Sequence, residues 1–164
     1  MENRSVIPTH LKTGRTYPVK TIRRPSKPQH NRLAPENLEV RSSPIHGRGL
    51  FALTDLPRRR KLGELDGRLV RLPAARKAVE RLPVIYLIEL SRRYALDCSE
   101  GNKFKHLNHS CAPNCFLRIH KRVVEVYTLR TVKPGTELTI DYGLTPHSHG
   151  MDCLCGNSKC RRQL

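Results

Sequence analysis

Acidic residues are scarce in this chain. Fourteen Asp and Glu stand against thirty-one Lys and Arg in 164 residues, giving a formal net charge of +17 and a pI near 10.3. Charge of that sign keeps a protein soluble and draws it toward polyanions such as nucleic acid or chromatin, but it names no fold. Long apolar runs are missing too: nothing approaches the ~20 consecutive apolar residues of a membrane span. The N-terminus lacks the basic, apolar and small-residue succession of a secretion signal, so an intracellular protein is expected. In a reducing compartment its six cysteines suit metal binding better than disulfides. The Gly47-Arg48-Gly49 bend has neither the third glycine nor the following helix of a dinucleotide fingerprint, which excludes that fold. There are no internal repeats.

What the chain does contain is unevenly spread. Hydrophobic residues make up 37% of it, and they are sparser and without periodicity in the first 36 positions. Residues 1–35 hold eight Lys/Arg, five prolines and one acid, Glu2. Such a segment buries too little apolar surface to offset its ordering entropy, so 1–36 reads as a disordered basic arm. Its Lys20–Lys27 run matches a nuclear import signal or a nucleic-acid arm as well as a solvated tail.

Order is expected from Leu38. Short strands are predicted at Glu39–Ser42, toward Leu50–Ala52, at Val84–Leu90, Tyr94–Asp97, Phe116–His120, Val123–Arg130 and Glu137–Asp141. Arg58–Lys61 reads as an exposed basic loop and Gly63–Gly67 as a turn-rich connection. The one helical stretch is Ala74–Leu82, rich in Ala, Arg, Lys and Glu between two prolines. The result is a mainly β domain.

Three stretches are out of keeping with plain structure. Asn108-His109-Ser110-Cys111-Ala112-Pro113-Asn114-Cys115 is polar yet lies between strand-like segments. Glu137-Leu138-Thr139-Ile140-Asp141-Tyr142-Gly143 ends a strand on a tyrosine. Cys153-x-Cys155-x4-Cys160 places three thiolates close together, and structural zinc needs a fourth donor from elsewhere. Cys111 and Cys115 both compete for that place, whereas Cys98 reads as a small buried residue. On residue type alone His109 could serve as a general base and Tyr142 as a core tyrosine.

With His46–Ala52 (HGRGLFA) ahead of them, these stretches in this order resemble a SET-domain protein lysine methyltransferase with a post-SET zinc motif, over roughly residues 38 to 162. The resemblance implies small curved β-sheets around a pseudoknot, with a SET domain at 37–144 and a zinc-binding segment at 145–164. It implies S-adenosylmethionine as methyl donor and structural Zn2+ on Cys111, Cys153, Cys155 and Cys160. Tyr142 matches the family's catalytic tyrosine. Arg48, Gly49, Leu50, Tyr86, Asn108 and His109 match positions that hold or border the cofactor, and His109 is there a packing and binding residue rather than a base. Such chemistry needs a neutral lysine amine, against a free pKa of about 10.4, held in line with the methyl group. Neither a nucleophilic side chain nor a catalytic metal is required.

Some positions depart from the family pattern. Ile140 stands two residues before the tyrosine, where Phe or Tyr is usual, and without a hydroxyl there di- or trimethylation is expected. His106 replaces a frequent aromatic ahead of Asn108. No cysteine-rich module precedes residue 38, and such minimal size would suit a bacterial member. The helical insert at 73–83, which in the family helps build the substrate groove, is short, so substrate choice is not legible from it. The reading is a protein-lysine methyltransferase with histone as the leading substrate and nucleic acid or nucleosome contact through the arm. It would sit in a nucleus or on a chromosome in a eukaryote or as a host-directed effector, and otherwise in bacterial cytoplasm. The rivals are an enzyme acting on a ribosomal or nucleoid protein, and a catalytically silent SET domain that binds chromatin.

Overall fold

A computed structural model describes residues 35–80, 82, 84–143 and 150–164. The basic arm, apart from its last two residues, therefore lies outside the described part. Ten strands and one helix follow in order: β1 (Leu38–Ser42), β2 (Arg48–Ala52), β3 (Lys61–Leu65), β4 (Arg68–Arg71), α1 (Leu72–Val79), β5 (Leu87–Glu89), β6 (Tyr94–Asp97), β7 (Asn108–His109), β8 (Cys115–His120), β9 (Val123–Thr128) and β10 (Glu137–Ile140). They form three small sheets, ordered β1-β2-β10-β7, β3-β9-β8 and β4-β6-β5. The mainly β expectation holds.

Alternation decides which face each strand buries. In β9, Val124, Val126 and Thr128 point inward while Val123, Glu125 and Tyr127 are half-buried. β10 instead buries Leu138, Thr139 and Ile140 in succession, because it is flanked by β2 and β7 and covered on both faces. One apolar cluster joins Leu50, Leu56, Leu62, Phe104, Val126, Leu138 and Ile140, and a second gathers Leu96, Cys98 and Val124. Each such side chain, fully buried, contributes about 1.5–3 kcal/mol.

Helix α1 starts two residues earlier than its composition suggests and stops at Val79. Pro73 lies inside the first turn, where its missing N–H costs nothing, instead of marking the boundary. Only Leu87–Glu89 of the Val84–Leu90 run pairs, and it forms the expected hairpin with β6.

The two loop expectations around β3 need correction. Lys61 is a buried strand residue, not the end of an exposed basic loop. Its ammonium lies 2.5 Å from Glu125 and 2.7 Å from Glu64. Burial alone would lower its pKa, but the hydrogen bonds it donates to those two carboxylates, with their negative charge, outweigh that and hold it above the ordinary lysine value. Gly63 is likewise a strand glycine beside a register shift. It lies against the Phe104 ring, where a Cβ would collide. Glycine in a strand commonly marks such close approach.

Glu125 closes this network, taking Lys61 on one side and Arg118 at 2.6 Å on the other. Burial raises its carboxyl pKa, yet the two cations win and hold it below the usual range. A depressed carboxyl contributes stability above its unfolded value of 4.5 and loses it as pH falls through the folded value. Glu125→Gln should therefore destabilise the fold by about 1–3 kcal/mol at neutral pH. The gap from wild type should narrow in denaturant melts taken below pH 4.5.

Candidate active site and cysteine cluster

The parallel pairing of β10 with β7 builds the site. Thr139 lies opposite Asn108 and Ile140 opposite His109, so two stretches almost thirty residues apart in sequence run side by side. The chain between them leaves to form β8 and β9 and then returns. Asn114 stitches the crossing: its Nδ2 donates to the Glu137 carbonyl at 2.7 Å and its Oδ1 accepts the Thr139 N–H at 2.8 Å.

Asn108 is the second stitch. Its buried amide lies 2.7 Å from Glu137 Oε1, 3.0 Å from Ser43 Oγ, and within reach of the His46 and Arg48 carbonyls. Ser43 donates to the same carboxylate at 2.8 Å. Glu137 thus organises the turn at residues 43–48, a role sequence reasoning missed. Its position at the head of the ELTIDYG stretch was the available signal. Gly49 is shaped by this carboxylate, which, with the Phe51 ring behind it, fills the space a Cβ would need. Gly49→Ala should destabilise the fold by about 1–3 kcal/mol, read from a urea melt, even before any ligand is added.

A recess opens beside this junction. Ile45, His46, Asn108, His109 and Tyr142 line one side, and Met151, Asp152, Leu154 and Leu164 of the C-terminal segment the other. The structure therefore gathers Asn108, His109 and Tyr142. Tyr86 is half-buried and close enough to Tyr142 to help disfavour ionisation of its phenol. Arg48, Gly49 and Leu50 do not line this recess: Leu50 is fully buried in the core and Arg48 reaches the Val40 carbonyl. Ile140 also faces the core cluster. Ile45 and His46, just ahead of the glycines, are lining residues that sequence reasoning overlooked.

Tyr142 keeps 41% of its surface exposed, but its hydroxyl points inward and donates to the Leu107 carbonyl at 2.8 Å. Burial of that hydroxyl, with Tyr86 and Glu137 adding negative potential, pushes the phenol pKa upward. At neutral pH it stays a phenol. The ring packs on His109, with centroids 5.4 Å apart.

His109 connects the tyrosine to the cysteines. Nδ1 accepts the Tyr142 backbone N–H at 3.2 Å, so in the neutral ring Nε2 carries the hydrogen, and it faces Cys111 Sγ at 3.3 Å. Burial, then the Arg161 charge, lowers the His109 pKa against the pull of Asp141, which favours that neutral form. The ligand atoms of His109, Cys111, Cys153 and Cys155 lie within 4.8 Å of one another. Cys160 adjoins them, its sulfur 3.7 Å from the Cys153 carbonyl.

All six cysteines are free. Cys111 and Cys153 sulfurs are 3.7 Å apart, far beyond a disulfide and close to the about 3.8 Å edge of a tetrahedron with 2.3 Å zinc–sulfur bonds. Burial raises the Cys155 thiol pKa, but the backbone N–H groups of Cys111 and Asn157 and the neighbouring thiols prevail, leaving it at about 6. The neighbouring Cys153 thiol shifts the other way, pushed up to about 12 first by burial, so the negative charge of the cluster is favoured on Cys155. These donors fit zinc. Cys115, the rival fourth sulfur, is instead a buried core residue, its thiol pushed up to about 12 by burial.

Arg161 fastens the cluster to β10. Its guanidinium contacts both Asp141 oxygens, at 2.5 and 3.3 Å, and the Gly143 carbonyl at 3.2 Å. Its backbone N–H reaches Cys111 Sγ at 3.4 Å. Hydrogen bonding from Arg161 holds the Asp141 carboxyl below its ordinary range.

This arrangement of small sheets, crossed segments and a cysteine-capped recess defines a recognisable class. The family model "SET domain" matches residues 47–143, and the chain belongs to that family. It is 34% identical over 133 residues to the histone-lysine N-methyltransferase set-2 of Caenorhabditis elegans, covering 74% of this chain and 9% of the relative. To the H3 lysine-4 specific histone-lysine N-methyltransferase of Schizosaccharomyces pombe it is 32% identical, covering 79% of this chain and 15% of that one. The chain thus spans only a small part of these relatives. Among solved structures it is similar to KRYPTONITE in complex with mCHG DNA and SAH. That likeness has a TM-score of 0.65 at 27% identity and covers 77% of this chain and 28% of the other.

Proposed function

We propose that the chain is a protein-lysine N-methyltransferase using S-adenosylmethionine, with histone as the leading substrate. The observation that carries this is Tyr142: a phenol kept neutral, anchored on the Leu107 carbonyl, at the edge of a recess flanked by Asn108 and His109. Relatives named as histone-lysine methyltransferases and a neighbour solved with SAH support the same reading.

S-adenosylmethionine would supply an electrophilic methyl group on a sulfonium. The protein's part is placement. Asn108 and His109 would hold the cofactor, with Tyr86 bordering it, and Arg48–Leu50, outside the recess, would support it through the Arg48 carbonyl that accepts from Asn108. The Tyr142 hydroxyl already spends its proton on Leu107, so its oxygen lone pairs remain to align the incoming amine and to stabilise positive charge at the transferring methyl. Met151, Leu154 and Leu164 would give the channel one apolar wall, which favours the neutral lysine the reaction needs. Zinc on Cys111, Cys153, Cys155 and Cys160 would hold that wall in place and take no part in the chemistry. The basic arm would add nucleic-acid or nucleosome contact, and a nuclear or chromosomal location fits that substrate.

The test is methyl transfer from labelled S-adenosylmethionine to core histones, nucleosomes and a cell lysate. Label on one histone supports the full reading, whereas label on other proteins alone keeps the enzyme and discards chromatin. No label, with cofactor and zinc bound, leaves a silent binding module. Mass spectrometry of the product then examines Ile140: di- or trimethyl-lysine is expected, and a purely monomethyl product from active enzyme contradicts it.

A further inference from the structure

We propose that the β8–β9 hairpin tip and the adjoining edge of the β4-β6-β5 sheet form a docking surface for the phosphate backbone of nucleic acid. This surface shares no residue with the recess and stands whether or not the chain transfers methyl groups.

The hairpin turn is unusual. His120 pairs with Val123, leaving Lys121 and Arg122 as a two-residue connection with φ of 46° and 71°. Two positive φ values in succession suit Asn-Gly and strain residues with long side chains. Both side chains are exposed, so packing does not explain the choice. What the pair supplies is two cations at the tip of a rigid ribbon.

Those cations do not stand alone. The Arg122 guanidinium carbon lies 4.9 Å from the Tyr94 ring centroid, and that of Arg71 lies 5.0 Å from the same ring. The two like charges are therefore within roughly 10 Å of each other, about one Debye length at 0.1 M salt, where repulsion is only partly screened. Arg92 and Arg93 occupy the bend just before Tyr94, and the Arg93 carbonyl accepts the N–H of Leu72, next to Arg71. All five cations are exposed, and none pairs with a carboxylate among the described residues. The acids on neighbouring strands are already engaged, Glu89 by Arg76 and Asp97 by Arg68.

Like charges gathered around one tyrosine and left without a paired carboxylate among the described residues suit an anion of high charge density. A nucleic-acid backbone is such an anion, and its binding by Lys and Arg releases condensed counterions. The chain's overall charge of +17 adds to the same attraction at longer range.

The experiment uses the full zinc-loaded chain and a fluorescein-labelled random-sequence 20-bp DNA duplex, with anisotropy titrations from 50 to 200 mM salt. The variant is K121N/R122G, which removes both cations while installing the pair this turn prefers, so its melting temperature should equal or exceed wild type. The expected result is affinity about ten-fold or more lower at 0.1 M salt, with the slope of log K against log[salt] shallower by about 1.8, for two lost phosphates. An unchanged slope, meaning that other cations such as the arm carry all the binding, overturns the proposal. So does tighter binding to phosphatidylserine vesicles than to DNA at equal phosphate concentration, which would assign the surface to a membrane.

Discussion

Cys111→Ser is expected to remove tight zinc binding and most methyl transfer together. Cys111 sits on the SET stretch, while the other three sulfurs belong to the C-terminal segment that forms one wall of the recess. The metal would be the only bridge made of coordinate bonds between these two pieces. A serine hydroxyl is a poor zinc donor, and the change also removes the sulfur that faces His109 Nε2 and the Arg161 N–H. Second-sphere changes already weaken metal sites by about 10–100-fold, so loss of a ligand should cost about a hundred-fold or more in competition with a chelator. Turnover should fall by about ten-fold or more as the wall loosens, and EDTA on the wild type should do the same. Cys115→Ser is the control: it should keep one zinc per chain while lowering the melting temperature, because a hydroxyl enters the core. Undiminished zinc affinity in Cys111→Ser would instead make His109 the fourth ligand.

Tyr142→Phe should separate chemistry from binding. Removing one placed polar group from a reacting centre typically costs about 100–1,000-fold in turnover. The fold should lose only about 1 kcal/mol, the net worth of the hydroxyl bond to Leu107. Cofactor affinity, measured by calorimetry, should change less than about three-fold, since the ring and its packing on His109 remain. Equal losses in turnover and cofactor affinity would make Tyr142 a wall of the recess rather than the group that aligns the amine. Between them the two variants distinguish a wall that must be held shut from a hydroxyl that must be present.

Local pattern made seven of the ten strands of the described residues legible, but not β3, β4 or β7. Alternation in Val123–Thr128, the Pro134-Gly135 turn ahead of β10, and the β5–β6 hairpin all follow from periods and turn residues in the chain itself. Lys61 and Gly63 were not legible, because each answers to a distant neighbour. Lysine reads as exposed until the fold brings the Glu125 carboxylate to it, and glycine reads as a turn until Phe104 lies across it. Propensity speaks for a residue's own backbone, whereas these two positions were chosen by what packs on them.

The same division runs through the site. Sequence by itself determined that a tyrosine closely follows the last strand, that three cysteines cluster after it, and that a polar asparagine-histidine-cysteine stretch lies between strand-like segments. Those are matters of residue type and order, and their chemistry is intrinsic. Only the tertiary structure separates Cys111 from Cys115, because pairing of β7 with β10 turns one sulfur toward Cys153 while β8 buries the other in the core. It also gave Glu137 its place as the anchor for Asn108 and Ser43, and His109 its hydrogen-bonded position between Tyr142 and Cys111. Distances between atoms far apart along a chain depend on how the sheets cross, and that is a property of the whole fold.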